Sequence, residues 1–342
     1  MINVGVIGLG FMGRTHIGAY QAARRDGYPV RLVAVSDRDA SRLSGHAQQG
    51  GNVELSAATD RLFDPAEVRG FTDALALIAD PDVHLVSICT HTDTHVDLAL
   101  AAIRAGKHVL CEKPVAVASA DVRRLADAAA RARTLCMPAM CMRFWPGWTF
   151  LRDAVRSKAY GKVRSATFTR LGSPPDWGRD FYADMNRTGG PLVDLHIHDT
   201  DFVRYIFGVP RAVSSVGSLA HVTTQYHYDP SVAEYVVAEG GQDMAPGFGF
   251  RMPYTVAFEH ATADFDIARA GSPLELCRDG KRESVALPTG TGYDGQVRHL
   301  LDAISVQASN DSLSANMNQA LEVARILEAE RASLSSARPE SL

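Results

Sequence analysis

Residues 4–16 read VGVIGLGFMGRTH, an apolar run followed by glycines at 8, 10 and 13 and then by residues of helical character. A short Val and Ile run without polar alternation is the pattern of a strand buried on both faces. Between such a strand and a helix, the spacing G-x-G-x-x-G has a physical meaning. Gly8 permits the tight turn, Gly10 lets a pyrophosphate approach the backbone, and Gly13 lets the helix pack closely on the strand. The N–H groups at the helix start, around Phe11 and Met12, then meet the phosphate charge. The spacing alone is weak, because glycines also make ordinary turns; the strand and helix on either side make it strong.

Outward from this motif, RLVAVSDRD (31–39) ends a second apolar run in Asp37, 24 positions after Gly13. A carboxylate there accepts hydrogen bonds from adenosine ribose hydroxyls and repels a 2′-phosphate, which favours NAD. Arg38 beside it can pair with that phosphate and keeps NADP open. Apolar runs at 2–8, 31–36, 84–89 and 107–111 alternate with helical segments such as 93–106. This predicts an α/β fold whose first domain, residues 1–135, is a doubly wound parallel sheet of Rossmann type. Beyond residue 135 the strand-like segments 162–172, 211–221, 231–240, 252–271 and 274–288 are joined by turn residues. They predict a second α/β domain, 136–312, with an open, mainly antiparallel sheet and helices near 192–207 and 294–307. A final helix at 313–334 is expected to pack back on the Rossmann domain, with a frayed tail from Ser335.

The composition sets limits on function. With 342 residues, two domains are expected, and 46% hydrophobic with 22% charged residues is a globular balance. A net charge of −4 without basic and aromatic clusters gives no reason to expect nucleic acid. No apolar run approaches the roughly 20 residues that span a bilayer. Five cysteines without a C-x-x-C pair point to free thiols in a reducing compartment. The first residues read directly as a strand, without a basic region or cleavage site, and the expected location is the cytoplasm.

AGKHVLCEKP (105–114) ends the fifth expected parallel strand and sets Glu112, Lys113 and Pro114 at its carboxyl end, where such sheets bind ligands. GGPLVDLHIHDTDF (189–202) crowds three aspartates and two histidines into an otherwise apolar segment. On one helix Asp194 and His198 share a face, Asp201 lies one further turn along, and His196 and Asp199 point elsewhere. Polar groups on an otherwise buried helix need a partner or a substrate, and this cluster is read as one wall of an active site. A metal is not expected, because residues two apart on a helix diverge and no cysteine cluster adds ligands.

Together, the G-x-G-x-x-G motif, AGKHVLCEKP and GGPLVDLHIHDTDF resemble, in order and over nearly the whole chain, the glucose-fructose oxidoreductase / inositol dehydrogenase / rhizopine-catabolism (Gfo/Idh/MocA) oxidoreductase family. The resemblance implies a Rossmann domain followed by an open-sheet domain that mediates homodimers or homotetramers. It implies hydride transfer between NAD(P) and a secondary hydroxyl of a sugar, sugar derivative or cyclic polyol. Lys113, Asp194 and His198 fill the family's catalytic positions: His198 as general base, Asp194 orienting it, and Lys113 stabilising the substrate oxygen. Thr90 and His95, in CTHTDTHVDLAL (89–100), fall near the nicotinamide ribose. Arg143, Trp148, Trp177 and Tyr293 are candidate substrate-pocket residues, since sugars favour aromatic faces with polar side chains. The chain departs from the family where relatives often carry glycine two residues after the aspartate; His196 stands there and is expected to narrow the pocket, add a hydrogen bond, or lie buried. Some relatives are glycosidases that oxidise transiently and eliminate, and others are dinucleotide-sensing regulators.

Overall fold

The computed structural model of the protein describes residues 1–46, 61–175 and 184–342. The chain forms two compact units, 1–141 with 292–321, and 142–291 with 322–342.

The first unit is built on six parallel strands: β1 (Ile2–Ile7), β2 (Val30–Ser36), β3 (Arg69–Phe71), β4 (Leu85–Ile88), β5 (His108–Cys111) and β6 (Cys136–Pro138). Their order is β3-β2-β1-β4-β5-β6. Parallel strands require crossovers, and the helices Phe11–Arg25, Ala74–Ala79, His95–Arg104 and Ser119–Arg131 supply them. The strand order reverses between β1 and β4, which places the ligand crevice at their carboxyl ends. Two strands, β3 and β6, lie outside the four apolar runs that mark the others; each is three residues long. The chain returns to this unit with the helix Gly292–Ser305, where Arg298 pairs with Asp26 at 2.5 Å.

The second unit carries a ten-stranded sheet. Its strands are β7 (Val163–Gly172), β8 (Ala212–Gly217), β9 (His221–His227), β10 (Ala233–Gly241), β11 (Phe250–Arg251), β12 (Tyr254–Phe258), β13 (Thr262–Phe265), β14 (Leu274–Arg278), β15 (Lys281–Ser284) and β16 (Glu340–Ser341). The order is β15-β14-β13-β12-β7-β10-β9-β8-β16, with β11 also on β7. Pairing is antiparallel except between β7 and β10. Burial alternates along β7, β9 and β13, as in a sheet with one packed face. On that face Trp148 is wholly buried, with ring centroids 4.8 Å from Phe202, 5.5 Å from Tyr254 and 5.7 Å from Phe168.

The frayed tail expected from Ser335 is not found. The last helix runs Met317–Ser336, and Glu340 and Ser341 then pair with Val213 and Ala212. An edge strand offers unpaired main-chain groups to any chain end that reaches it, and local polarity does not reveal that partner.

Candidate active site

The glycine loop shows why its residues are needed. Gly8 has φ +87°, and a Cβ there would stand 2.6 Å from the Cys89 carbonyl oxygen. A Cβ on Gly13 would lie 1.8 Å from the Gly8 carbonyl oxygen. Both contacts are backbone on backbone, so neither position accepts a side chain. Gly10 is the opposite case: a Cβ there meets nothing within 4 Å, and no side chain caps the helix that starts at Phe11. Open space before an uncapped helix start fits a dinucleotide pyrophosphate.

The remaining nucleotide-side residues gather at the same strand ends. Asp37 Oδ2 accepts the Leu9 N–H at 2.8 Å, Oδ1 accepts the Asp39 N–H at 2.9 Å, and Arg42 Nη1 lies 3.3 Å from Oδ2. Arg38 is exposed, so the cation that meets Asp37 is Arg42. Thr90 is half-exposed and its hydroxyl lies 2.6 Å from that of Thr94. Phe11 and Met12 are half-exposed at the helix start. Lys113 is half-exposed at the end of β5, before a cis peptide bond to Pro114.

Two residues expected near the ribose turn inward. His95 is buried, with Nδ1 2.9 Å from the Pro114 carbonyl oxygen and Nε2 3.0 Å from that of Thr90. Burial pushes its imidazole below the ordinary value, against the pull of the two carbonyls. With one N–H the neutral ring donates to one of these carbonyls at a time, and it lies between the loop after β4 and the loop after β5. Glu112, also buried, directs Oε1 to His16 Nε2 at 2.9 Å and accepts the Lys113 N–H on Oε2 at 3.1 Å.

The segment 189–202 is not one helix. Gly190 has φ +73°, Pro191–Asp194 forms a single turn, and Ile197–Phe207 is the longer helix. At the break the His196 N–H reaches the Pro191 carbonyl, five residues back, at 2.9 Å. The five titratable groups separate into two sets. Asp199 holds Arg170 of β7 through two bonds of 2.8 and 3.1 Å. Asp201 pairs with Arg143, whose Nε donates to Oδ2 at 2.9 Å. His196 Nε2 lies 3.3 Å from the Tyr226 hydroxyl and 3.4 Å from Glu330 Oε2, while Thr200 donates to Glu330 Oε1 at 3.0 Å. All of these groups are buried. Asp194 and His198 alone of the five are half-exposed.

Of the face that carries Asp194, Asp201 is taken up by Arg143, which corrects its place in the wall; His196 and Asp199 point elsewhere, as the helical spacing implies, toward Tyr226 and Glu330 and toward Arg170. His196 lies against the sheet, where a Cβ on Gly240 would come within 2.7 Å of its Nδ1, so it does not narrow a pocket. Arg143 and Trp148 are interior residues of the second unit. Tyr293 is half-exposed on the helix Gly292–Ser305 of the first unit, and Trp177 lies outside the described residues. Among the described residues no group of His, Cys, Asp or Glu is placed to hold a metal, and no helix is long and apolar enough to cross a membrane. The five cysteines are free; burial pushes the Cys89 and Cys111 thiols well up and that of Cys136 to about 12. Sequence reasoning missed His16, Tyr20 and Ser87, although the i, i+4 pair His16 and Tyr20 stands on the buried face of the motif helix.

Residues 2–140 match the family model described as "Oxidoreductase family, NAD-binding Rossmann fold", and residues 148–241 match the "GFO/IDH/MocA C-terminal domain". A levoglucosan dehydrogenase of Pseudarthrobacter phenanthrenivorans is 31% identical over 63% of this chain and 53% of its own length. A myo-inositol 2-dehydrogenase of Thermotoga maritima is 33% identical over 60% of this chain and 55% of its own length. The chain thus spans about half the length of these curated relatives in the matched regions. A solved levoglucosan dehydrogenase complex with NADH and levoglucosan has the same fold, with a TM-score of 0.83 at 21% identity, covering 100% of this chain and 99% of that one. The chain belongs to the GFO/IDH/MocA oxidoreductase family, with that family's NAD-binding Rossmann domain at its amino-terminal end.

Proposed function

We propose that the protein is an NAD-dependent dehydrogenase that oxidises a secondary hydroxyl of a sugar, sugar derivative or cyclic polyol. One observation carries the reading: of the five titratable groups in 189–202, the two left half-exposed are the two that fill the family's catalytic positions, Asp194 and His198. The activities of relatives, among them levoglucosan dehydrogenase, myo-inositol 2-dehydrogenase and D-glucoside 3-dehydrogenase, support the substrate class. NAD, when bound, supplies the hydride acceptor. Gly8, Gly10, Gly13 and the helix start at Phe11 and Met12 would hold its pyrophosphate, Asp37 would take the adenosine ribose, and Thr90 would serve the nicotinamide end. The carbinol hydrogen leaves with two electrons, the hydroxyl proton passes to the His198 imidazole, and a ketone remains. Lys113 donates a hydrogen bond to the reacting oxygen and stabilises its developing charge, while Asp194 orients His198.

In this reading residues 1–135 bind the nucleotide, and the sheet-bearing part of residues 136–312 binds substrate and mediates assembly. The enzyme works in the cytoplasm as a homodimer or homotetramer through its C-terminal sheet.

The test is nicotinamide absorbance with NAD and NADP against sugars, anhydrosugars, glycosides and inositols, for wild type, Lys113→Ala and His198→Ala. Reduced NAD should accumulate over many turnovers with at least one polyol or sugar, and each variant should lose about 10²–10⁴-fold in kcat. Equal turnover by all three proteins sinks the assignment of these two residues.

A further inference from the structure

Behind Lys113 runs a chain of buried hydrogen bonds that the proposed reaction does not use. The Tyr20 hydroxyl lies 2.8 Å from Ser87 Oγ, and Ser87 Oγ lies 3.2 Å from His16 Nδ1. His16 Nε2 lies 2.9 Å from Glu112 Oε1, and Glu112 Oε2 accepts the main-chain N–H of Lys113 at 3.1 Å. Cys89 Sγ stands 3.5 Å from His16 Nδ1, and the Gln296 amide nitrogen 3.4 Å from Nε2. Tyr20, Ser87, His16 and Glu112 are 1%, 0%, 0% and 4% exposed. Such a chain is costly to bury unless every member is satisfied.

A carboxylate only accepts. His16 Nε2–H can donate to Glu112 Oε1, which leaves Nδ1 to accept from Ser87 and Ser87 Oγ to accept from the Tyr20 hydroxyl. At the far end the carboxylate is held by two N–H groups, those of His16 and Lys113.

We propose that His16 is a positioning residue for Lys113. Its Nε2–H locks the Glu112 carboxylate, and the locked carboxylate pins the amide of Lys113 so that the lysine side chain leaves the main chain from a fixed point at the end of β5. A flexible four-carbon stem needs a rigid root if its ammonium is to meet one substrate oxygen. This inference rests on the reading of Lys113 given above.

The test compares two substitutions of similar size and polarity. The amide nitrogen of glutamine reaches the place of imidazole Nε2 and can still donate to Glu112; that of asparagine reaches only as far as Nδ1. Hydrogen exchange of the Lys113 amide, NADH affinity by fluorescence, and kcat with levoglucosan and myo-inositol are measured for wild type, His16→Gln, His16→Asn and Ser87→Ala. In His16→Asn the Lys113 amide should exchange at least ~10-fold faster and kcat should fall about 10–100-fold, with NADH affinity within about threefold of wild type. His16→Gln should restore both to within about threefold, and Ser87→Ala should change them in the same direction as His16→Asn but less. A packing role alone predicts that the Gln and Asn variants behave alike, and equal exchange at Lys113 in those two proteins overturns the inference, whether or not either polyol is turned over. Undiminished turnover by Lys113→Ala is a different failure: it removes the role of the lysine and leaves the exchange result standing.

Discussion

The glycine loop at 8–13 and the segment at 189–202 are both dense with unusual residues, yet they are dense for different reasons. In the loop the close contacts are with main chain: Gly8 meets the Cys89 carbonyl just after β4, and Gly13 meets the carbonyl of Gly8. In the segment the contacts are between side chains: three of the five titratable groups are buried against Arg143, Arg170, Tyr226 and Glu330, and the other two are half-exposed. A cluster of charge in sequence is thus not a cluster in space. Burial separates it into structural pairs and two half-exposed groups.

Substitution within the segment should expose that separation most strongly. Asp201→Ala leaves the Arg143 guanidinium buried without its carboxylate, and removing one partner of a buried pair costs roughly 3–5 kcal/mol. That is a large part of the 5–15 kcal/mol typical of a folded domain. Asp194→Ala removes a half-exposed group and should cost less stability than Asp201→Ala, with its main effect seen in kcat. Denaturant titration beside turnover separates the two. If Asp201→Ala were as stable as wild type, the division into structural and functional aspartates would be wrong.

The same contrast explains how much was legible. Fold class, the parallel sheet with its glycine loop, and the antiparallel character of the second sheet all follow from period-2 and period-3.6 patterns and from turn chemistry, which are local. The positions of Lys113, Asp194 and His198 came from motifs. The break at Leu195–His196 was not legible in the helical spacing, and the groups that face the His196 ring, Tyr226 and Glu330, come from distant parts of the chain. Nor was the pairing of Glu340 and Ser341, because an edge strand's vacancy is a property of the assembled sheet. His16 sits inside the deciding motif but was overshadowed by the glycines; its partner Glu112 is 96 positions away.

A smaller effect tests the anchor itself. Gly240 of β10 lies beneath His196, with a Cβ there 2.7 Å from Nδ1 and 2.9 Å from the His196 Cβ. Gly240→Ala should therefore destabilise by about 1–3 kcal/mol through overpacking. In a His196→Gly background the same substitution should cost little, because the ring it strikes is gone. A double-mutant cycle measures the difference directly, and additive costs would mean that ring and strand are not in register as described.

The smallest effect lies on the other side of the same turn. The Gly190–Leu192 entry is held by the β8–β9 hairpin, where the Leu219 carbonyl accepts the Leu192 N–H at 3.0 Å. His221 closes that hairpin onto β10 and the residues after it, with Nε2 3.0 Å from Glu239 and Nδ1 2.8 Å from Asp243. The Glu239 carboxylate above all, helped by Asp243 and opposed by partial burial, holds the imidazole above its ordinary value of 6.5. A histidine raised in the folded state stabilises it fully below the unfolded value, and loses that contribution as pH rises through the folded value. His221→Gln should therefore lower the melting temperature at pH ~5.5 by the equivalent of about 0.5 kcal/mol, the usual worth of a half-exposed ion pair. The gap should close toward pH ~9, and it should shrink in high salt because the pair faces solvent. A gap that widened with pH would mean that the imidazole is held neutral, and that the hairpin under the Asp194 turn is fastened by packing rather than by charge.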